Sequence, residues 1–214
     1  MIFEIQFRDE KLVKRTYGQS IKELGDFFGL NWKKNKPRIF LVKDRNSINK
    51  LRRQETQDWV AGWVNRGDVF ILDKTNYEKE SCHEYSDEGY SRLIKHELAH
   101  LFTQVYSGIF DRPIEPDWLW EGIAIYLSGQ NESKKRPGQF EEFLHHYSKD
   151  TRYPGVYNES GFVVESLIRN FGKENFLNLI KRLKEINSEE GFIREFEMVY
   201  GFELNYKNFN QVAK

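Results

Sequence analysis

The spacing of hydrophobic positions changes about one third of the way along the chain. In the first third, apolar residues alternate with polar ones or form short runs, which is the spacing of β-strands. Beyond about residue 86 they recur every three or four positions, which is the spacing of helices. Because the strand-rich and helical parts are separate along the chain, the pattern predicts an α+β fold. The 214 residues suit a single domain, with a sheet-rich lobe over 1–75 and a helical part over 86–214.

The sheet-rich lobe is predicted to contain a small mixed sheet and one helix. A hairpin is predicted where two apolar stretches flank Asn65-Arg66-Gly67, since glycine favours tight turns. Ser20 and Glu23 have the S-x-x-E spacing of a helix-capping box, and Gly29 follows as a stop, so a short amphipathic helix lies between them. The predicted strands are Ile2–Phe7, Arg38–Val42, Trp59–Val64 and Asp68–Leu72.

Start and stop residues divide the helical part. Ser86 or Asp87 can cap a long helix that ends at Gly108, and a loop with two prolines leads to a helix over Trp118–Leu127. Residues 131–138 are polar and contain a proline, which indicates a surface loop. Further helices are predicted over 139–148, 159–171, 173–185 and 188–200.

Composition narrows the environment of the protein. The 33 basic and 33 acidic residues balance, so no global field attracts nucleic acid or membrane. Residues 33–53 are locally basic but contain no recognised nucleic-acid motif, so nucleic acid is an unlikely partner and a solvated surface is favoured. Cys82 is the only cysteine, and neither a signal peptide nor a membrane span is recognisable. A cytoplasmic protein is therefore expected.

The strongest chemical pattern is His96-Glu97-Leu98-Ala99-His100 in the long helix. Positions i and i+4 share one face of a helix, so His96 and His100 can direct imidazole nitrogens at one zinc ion. Glu97 is rotated by roughly 100° from His96 and can lean over water at the metal. This combination suits a metal that acidifies water and a carboxylate that takes its proton. Two exposed histidines beside a solvated glutamate remain the simpler alternative.

A third ligand decides between these interpretations, because catalytic zinc takes three protein ligands and keeps one position open. Thr103 and Tyr106 stand where one peptidase pattern requires glycine and histidine, so that pattern is absent. Glu121 lies in the apolar helix DWLWEGIAIYLSG, where an unpaired carboxylate would be costly. Glu121 is therefore the predicted third ligand, and Glu115 and Asp117 are the alternatives.

HELAH followed by Trp118-Leu119-Trp120-Glu121-Gly122-Ile123-Ala124 resembles the gluzincin zinc metallopeptidases, specifically their peptidase MA-like domains. The two motifs cover about 30 residues. The resemblance implies a zincin-like fold in which His96, His100 and Glu121 bind one Zn²⁺ and Glu97 is the general base. It also implies that the strand before the active helix, Asp68–Leu72, borders the substrate cleft.

The segment Tyr157-Asn158-Glu159-Ser160-Gly161-Phe162-Val163-Val164 is similar to the Y-x-x-S-x-x-F-V stretch of these domains, although Phe162 and Val163 stand one residue closer to Ser160. Tyr157 is therefore the candidate for stabilising the oxyanion, beside an equally open interpretation as an ordinary structural tyrosine. Tyr153 is the second choice, and His145 and His146 are weaker candidates because adjacent residues point in different directions on a helix.

The combined prediction is a zinc-dependent peptidase that acts on peptide or protein substrates. Two alternatives remain open: a catalytically silent metal-binding or regulatory module of the same fold, and a protein associated with nucleic acid through the basic run. Cys82-His83 could contribute to a second metal site, but such sites normally need four ligands. Substrate sequence and oligomeric state do not follow from the residues.

Overall fold

The computed structural model describes residues 7–110, 112, 114–144 and 154–213. The described residues contain helices and a three-stranded mixed sheet, which confirms the α+β class. The predicted strand Ile2–Phe7 lies outside the described residues except for Phe7, which is fully exposed. Among the described helices, none has both the length and the apolar character needed to cross a bilayer.

The first helix, α1 (Lys11–Phe28), is much longer than predicted, and the capping-box assignment is wrong. The helix begins after Glu10, and Ser20 is buried in its middle. Ser20 belongs to a face repeated every four residues with Leu12, Thr16 and Leu24, and this face packs against the long helix of the site. Ser20 therefore has the sequence spacing of a helix cap although it lies on the buried face of the helix. The predicted end is confirmed, since Gly29 has φ 65°.

Three strands form the sheet: β1 (Ile39–Val42), β2 (Gly62–Asn65) and β3 (Asp68–Leu72). β3 is central, parallel to β1 and antiparallel to β2. The predicted hairpin is confirmed, with Arg66 and Gly67 as its two turn residues, both at positive φ. The stretch before β2 is not strand, so the predicted start at Trp59 is wrong. A helix that was not predicted, α2 (Arg45–Arg52), follows β1.

The two faces of the sheet differ. Val69 and Ile71 of β3 are fully buried, whereas the opposite face carries an aromatic ladder of three rings, Phe40, Phe70 and Trp63, which are cross-strand neighbours. The Phe40 and Phe70 ring centroids lie 5.0 Å apart and those of Trp63 and Phe70 4.9 Å apart, with nearly parallel planes. The guanidinium groups of Arg38 and Arg52 lie 5.4 and 5.8 Å from the end rings. The ring faces are therefore occupied within the ladder.

The long helix α4 (Asp87–Ser107) has the predicted bounds. Ser86 Oγ accepts the backbone N–H of Gly89 at 3.0 Å, and the helix ends at Gly108 with φ 73°. The helices over 117–128 (α5), 154–171 (α6) and 173–182 (α7) agree with the predicted helices in place, although α6 starts earlier. The remaining helices are α3 (Tyr77–Glu80), α5 (Asp117–Ser128), α6 (Pro154–Phe171), α7 (Lys173–Arg182), α8 (Glu189–Tyr200) and α9 (Tyr206–Val212).

The helix predicted over 139–148 is wrong in its described part, because residues 139–144 form bends and a turn. The buried carboxylate of Glu159 accepts the backbone N–H groups of residues 141, 142 and 143. The side chain of Asn210 pairs with the backbone N–H and C=O of Phe140. These side chains satisfy the backbone groups that a helix would have paired. Residues 145–148 lie outside the described residues.

One hydrophobic core includes residues from both parts of the chain, among them Ile71 of β3, Leu98 of α4 and Ile123 of α5. α5 packs against both α4 and α6. Gly122 allows a close approach to α6 rather than to α4, because a Cβ atom at this position would lie 2.6 Å from the carbonyl oxygen of Ser160. This packing brings one face of α5 to the histidines of α4.

Candidate metal centre

His96 and His100 lie one turn apart on α4, and both are buried. Their Nε2 atoms are 3.1 Å apart, so the two rings converge on the same point instead of extending into solvent. Burial lowers the pKa of His100 to about 3, which keeps this imidazole neutral at neutral pH with a lone pair available. The alternative of two exposed histidines is therefore inconsistent with the structure.

Glu121 reaches the same point from α5. Its Oε2 atom is 3.4 Å from His96 Nε2 and 3.9 Å from His100 Nε2. Tetrahedral ligands about 2.0–2.1 Å from zinc are separated from one another by about 3.3–3.4 Å. The three distances between ligand atoms lie around this value, so the donor set has the dimensions of a zinc site.

One oxygen of the Glu121 carboxylate is buried without a hydrogen-bond donor from the described part of the chain and is available to a cation. Oε2 is buried and has no hydrogen-bond partner among the described residues. Burial alone would raise the pKa of Glu121, but the interactions with the two imidazoles, above all the contact with His96, and a hydrogen bond from Tyr157 outweigh it and lower the pKa. Glu121 in turn raises the pKa of His96 against the opposing effect of burial. The site therefore favours one positive charge among these three side chains, as a proton or as a metal ion.

The two histidines are oriented by different neighbours. His96 Nδ1 lies 3.1 Å from Gln130 Oε1, and because a carbonyl oxygen only accepts hydrogen bonds, Nδ1 carries the proton. Nε2 is then the nitrogen left for a cation. His100 Nδ1 is buried without a hydrogen-bond partner among the described residues, and its ring instead stacks on Trp120. Gln130 was not predicted, because a glutamine in a turn after a helix has no recognisable pattern.

Glu97 is not part of the ligand group but lies beside it. Burial raises the pKa of its carboxyl to about 7, with the charge of His96 lowering it, that of Glu121 raising it and that of Arg52 lowering it. The carboxyl lies against β2, where a Cβ atom on Gly62 would be only 2.8 Å from Glu97 Oε1. The pKa of this group is close to the value that suits a general base at neutral pH.

His96 and Glu97 line a cleft of about 780 Å³. The cleft is also lined by residues 59–62, which are the first residue of β2 and the chain before it, and by residues 82–84. The prediction that Asp68–Leu72 borders the cleft is wrong, because β3 is the central strand and none of its residues is in the lining. The strand beside the cleft is β2, which pairs only with β3 among the described strands.

Tyr157 lies in α6 and also lines the cleft. Its side chain hydrogen-bonds Glu121, and its carbonyl oxygen accepts a hydrogen bond from Lys134 Nζ at 2.6 Å. The structure therefore places Tyr157 beside the predicted metal ligands. Tyr153, His145 and His146 lie outside the described residues.

The other candidates do not join the ligand group. Glu115 is exposed in the loop before α5, and Asp117 is the first residue of α5. Cys82 and His83 line the cleft, and His83 Nε2 pairs with the carbonyl oxygen of Trp59 at 3.0 Å. Within the described part of the chain, the only group of three side chains arranged to hold a metal is His96, His100 and Glu121.

Comparisons with protein-family models, with curated proteins and with solved structures give no match for this chain. Its function is therefore inferred from the residues of the site and from their geometry.

Proposed function

We propose that the protein is a zinc-dependent peptidase of the gluzincin type, with a zincin-like arrangement of its sheet and helices. The observation that carries this proposal is the convergence of three buried ligand atoms at 3.1, 3.4 and 3.9 Å from one another. They lie next to a carboxyl of raised pKa, and the cleft beside them is large enough for a peptide segment.

The residues favour zinc over harder cations. Two imidazole nitrogens and one carboxylate oxygen form a typical catalytic zinc donor set, whereas Mg²⁺ and Ca²⁺ prefer oxygen ligands throughout. His96, His100 and Glu121 would hold the ion, and His96 is the one of the three that also lines the cleft. Zinc bound in this way supplies a Lewis acid that polarises a carbonyl group and makes water acidic.

Glu97 is the proposed general base. Its carboxyl lies between α4 and β2, next to His96 and facing the cleft, where a substrate carbonyl and the attacking water would meet. Burial raises the pKa of this carboxyl, and a bound cation would lower it again and favour the carboxylate, which can take a proton from water and then give it to the leaving amine. Gly62 keeps the strand close to Glu97 and limits the directions in which the carboxyl can turn.

Tyr157 has two proposed roles. In the described structure its hydroxyl stabilises the charge of Glu121, which orients the third ligand. Because Tyr157 also lines the cleft, the hydroxyl can turn its single proton from Glu121 and donate it in a hydrogen bond to the oxyanion that forms from the substrate carbonyl. A Tyr157→Phe variant would lose both contributions.

The nucleic-acid alternative has less support. Recognition of single strands commonly uses open aromatic faces on which bases stack. In the aromatic ladder, neighbouring rings and the two flanking guanidinium groups cover these faces. The basic run therefore supplies charge without a stacking platform.

The decisive experiment combines metal analysis with a peptide-library assay on purified protein. Wild type should contain about one zinc per chain and cleave peptides, Glu97→Gln should keep zinc and lose cleavage, and Glu121→Ala should lose or weaken zinc binding. Glu115→Gln is the matched control, because it removes an exposed carboxyl close in sequence to Glu121 and should retain both properties. Full cleavage by Glu97→Gln would refute the mechanism, and zinc binding without cleavage of any library peptide would favour the silent metal-binding module.

A further inference from the structure

The second histidine of the metal centre lacks the support that such ligands usually have. A metal-ligating histidine almost always donates its other ring N–H to a carboxylate, a carbonyl oxygen or water, and this bond fixes the ring orientation. His96 has such a partner in Gln130. His100 Nδ1 has none among the described residues, although it is buried.

An indole ring stands in the place of that support. The ring centroids of His100 and Trp120 are 4.0 Å apart and their planes differ by 16°, which is close face-to-face stacking. Trp120 directly precedes the third ligand, Glu121, on α5. The same turn of α5 therefore supplies both a ligand atom and a flat surface against one of the two imidazoles.

We propose that Trp120 is a positioning residue that holds the His100 imidazole in its ligating orientation by stacking instead of by a hydrogen bond. This inference rests on the metal site proposed above. Rotation of His100 about its side-chain torsions would separate the two ring planes, so the stack resists the rotation that a hydrogen bond would otherwise resist.

The stack should also strengthen when a metal binds. Coordination withdraws electron density from an imidazole, and electron-poor or cationic groups are attracted to the electron-rich face of an indole. Trp120 would therefore stabilise the metal-bound form of His100 more than the metal-free form. An apolar side chain without a π-system, such as leucine, would lose this preference.

The test measures zinc affinity by competition with a chromophoric chelator, together with the absorption spectrum of the Co²⁺-substituted protein. Trp120→Leu should weaken zinc binding by about 10-fold or more, the range found when supporting contacts of metal ligands are removed. Trp120→Phe keeps an aromatic face and should stay within about 3-fold of wild type. Trp118→Phe is the matched control, since Trp118 packs on Phe143, Phe192 and Phe196 instead of on the ligands.

A second measurement does not depend on the folding of the leucine variant. Zinc added to metal-free wild type should change the tryptophan fluorescence, and this change should persist in Trp118→Phe and disappear in Trp120→Phe. The inference is overturned if Trp120→Leu binds zinc within about 3-fold of wild type, or if the fluorescence change survives in Trp120→Phe. Failure of wild type itself to bind zinc would overturn the metal site, which separates the two proposals.

Discussion

Replacing Glu97 by glutamine should change how the stability of the metal-free protein depends on pH. Burial raises the pKa of this carboxyl from 4.5 to about 7 in the folded protein. Between these values the folded state holds a proton that the unfolded state has released. Unfolding then releases a proton, so the free energy of unfolding contributed by Glu97 falls as the pH rises. Glutamine does not titrate and lacks this contribution.

The magnitude follows from the size of the pKa difference. A difference of about 2.5 units, at about 1.4 kcal/mol per unit, corresponds to about 3 kcal/mol. This penalty is absent below about pH 4.5, grows as the pH rises and is complete above about pH 7. Because about 1 kcal/mol of the penalty is already present at pH 5, metal-free Glu97→Gln should gain about 2–3 kcal/mol on wild type between pH 5 and pH 8.

Urea denaturation of chelator-treated wild type and variant at pH 5, 6, 7 and 8 measures this difference directly. Groups that titrate in both proteins largely cancel in the comparison. Glu115→Gln, which removes an exposed carboxyl, should follow wild type across the series. A difference between Glu97→Gln and wild type that stays constant within about 0.5 kcal/mol over this range would falsify the assignment of Glu97 as a buried carboxyl of raised pKa.

Two further predictions concern the strand beside the cleft. Gly62→Ala should cost about 1–3 kcal/mol through its contact with Glu97, seen as a lower melting temperature with unchanged zinc content. The loss of stability caused by Gly62→Ala should vanish when Glu97 is also replaced by alanine, and a loss that persists in this double variant would contradict the contact. Gly18→Ala is the control, because a Cβ atom at this position meets open space and should cause no loss. Arg45→Ala should destabilise the protein by about 2–4 kcal/mol in urea denaturation, because its guanidinium donates three hydrogen bonds to the chain before β2 and a fourth to the carbonyl oxygen of Glu80. An unchanged midpoint would show that these bonds are replaced by water.

The elements that could be predicted from the sequence are those whose capping residues and apolar spacing lie at the bounds found in the structure. α4 has a serine cap, a helical apolar period and a terminal glycine, and its predicted bounds agree with the structure. The start of α1 could not be predicted, because Glu10 provides no side-chain cap and Ser20 resembles one. α2 escaped prediction because it buries only Ile48 and its eight residues include only two apolar ones, Ile48 and Leu51.

The residues of the site also differ in how far the sequence could predict their positions. The spacing of His96 and His100 is a property of one helix and could be predicted from the chain. The approach of Glu121 depends on how α5 packs between α4 and α6, whereas the sequence shows only that this carboxylate lies in an apolar helix and needs a partner. Gln130 and Trp120 act through orientation relative to another helix, and no spacing along the chain encodes that orientation.

The side chains of the metal centre come from two short stretches of the chain, 96–100 on α4 and 120–130 on α5 and the turn that follows it. Local unfolding that separated these stretches would move the histidine ligands away from Glu121. The same unfolding would remove Gln130 and Trp120 from the histidines that they orient. Any free energy gained from a bound ion, about 4 kcal/mol at a thousandfold excess over Kd, would therefore oppose that opening specifically. The ion would link α4 to α5 and protect the amides of these two helices from hydrogen exchange. It would add little to the protection of the distant C-terminal helices.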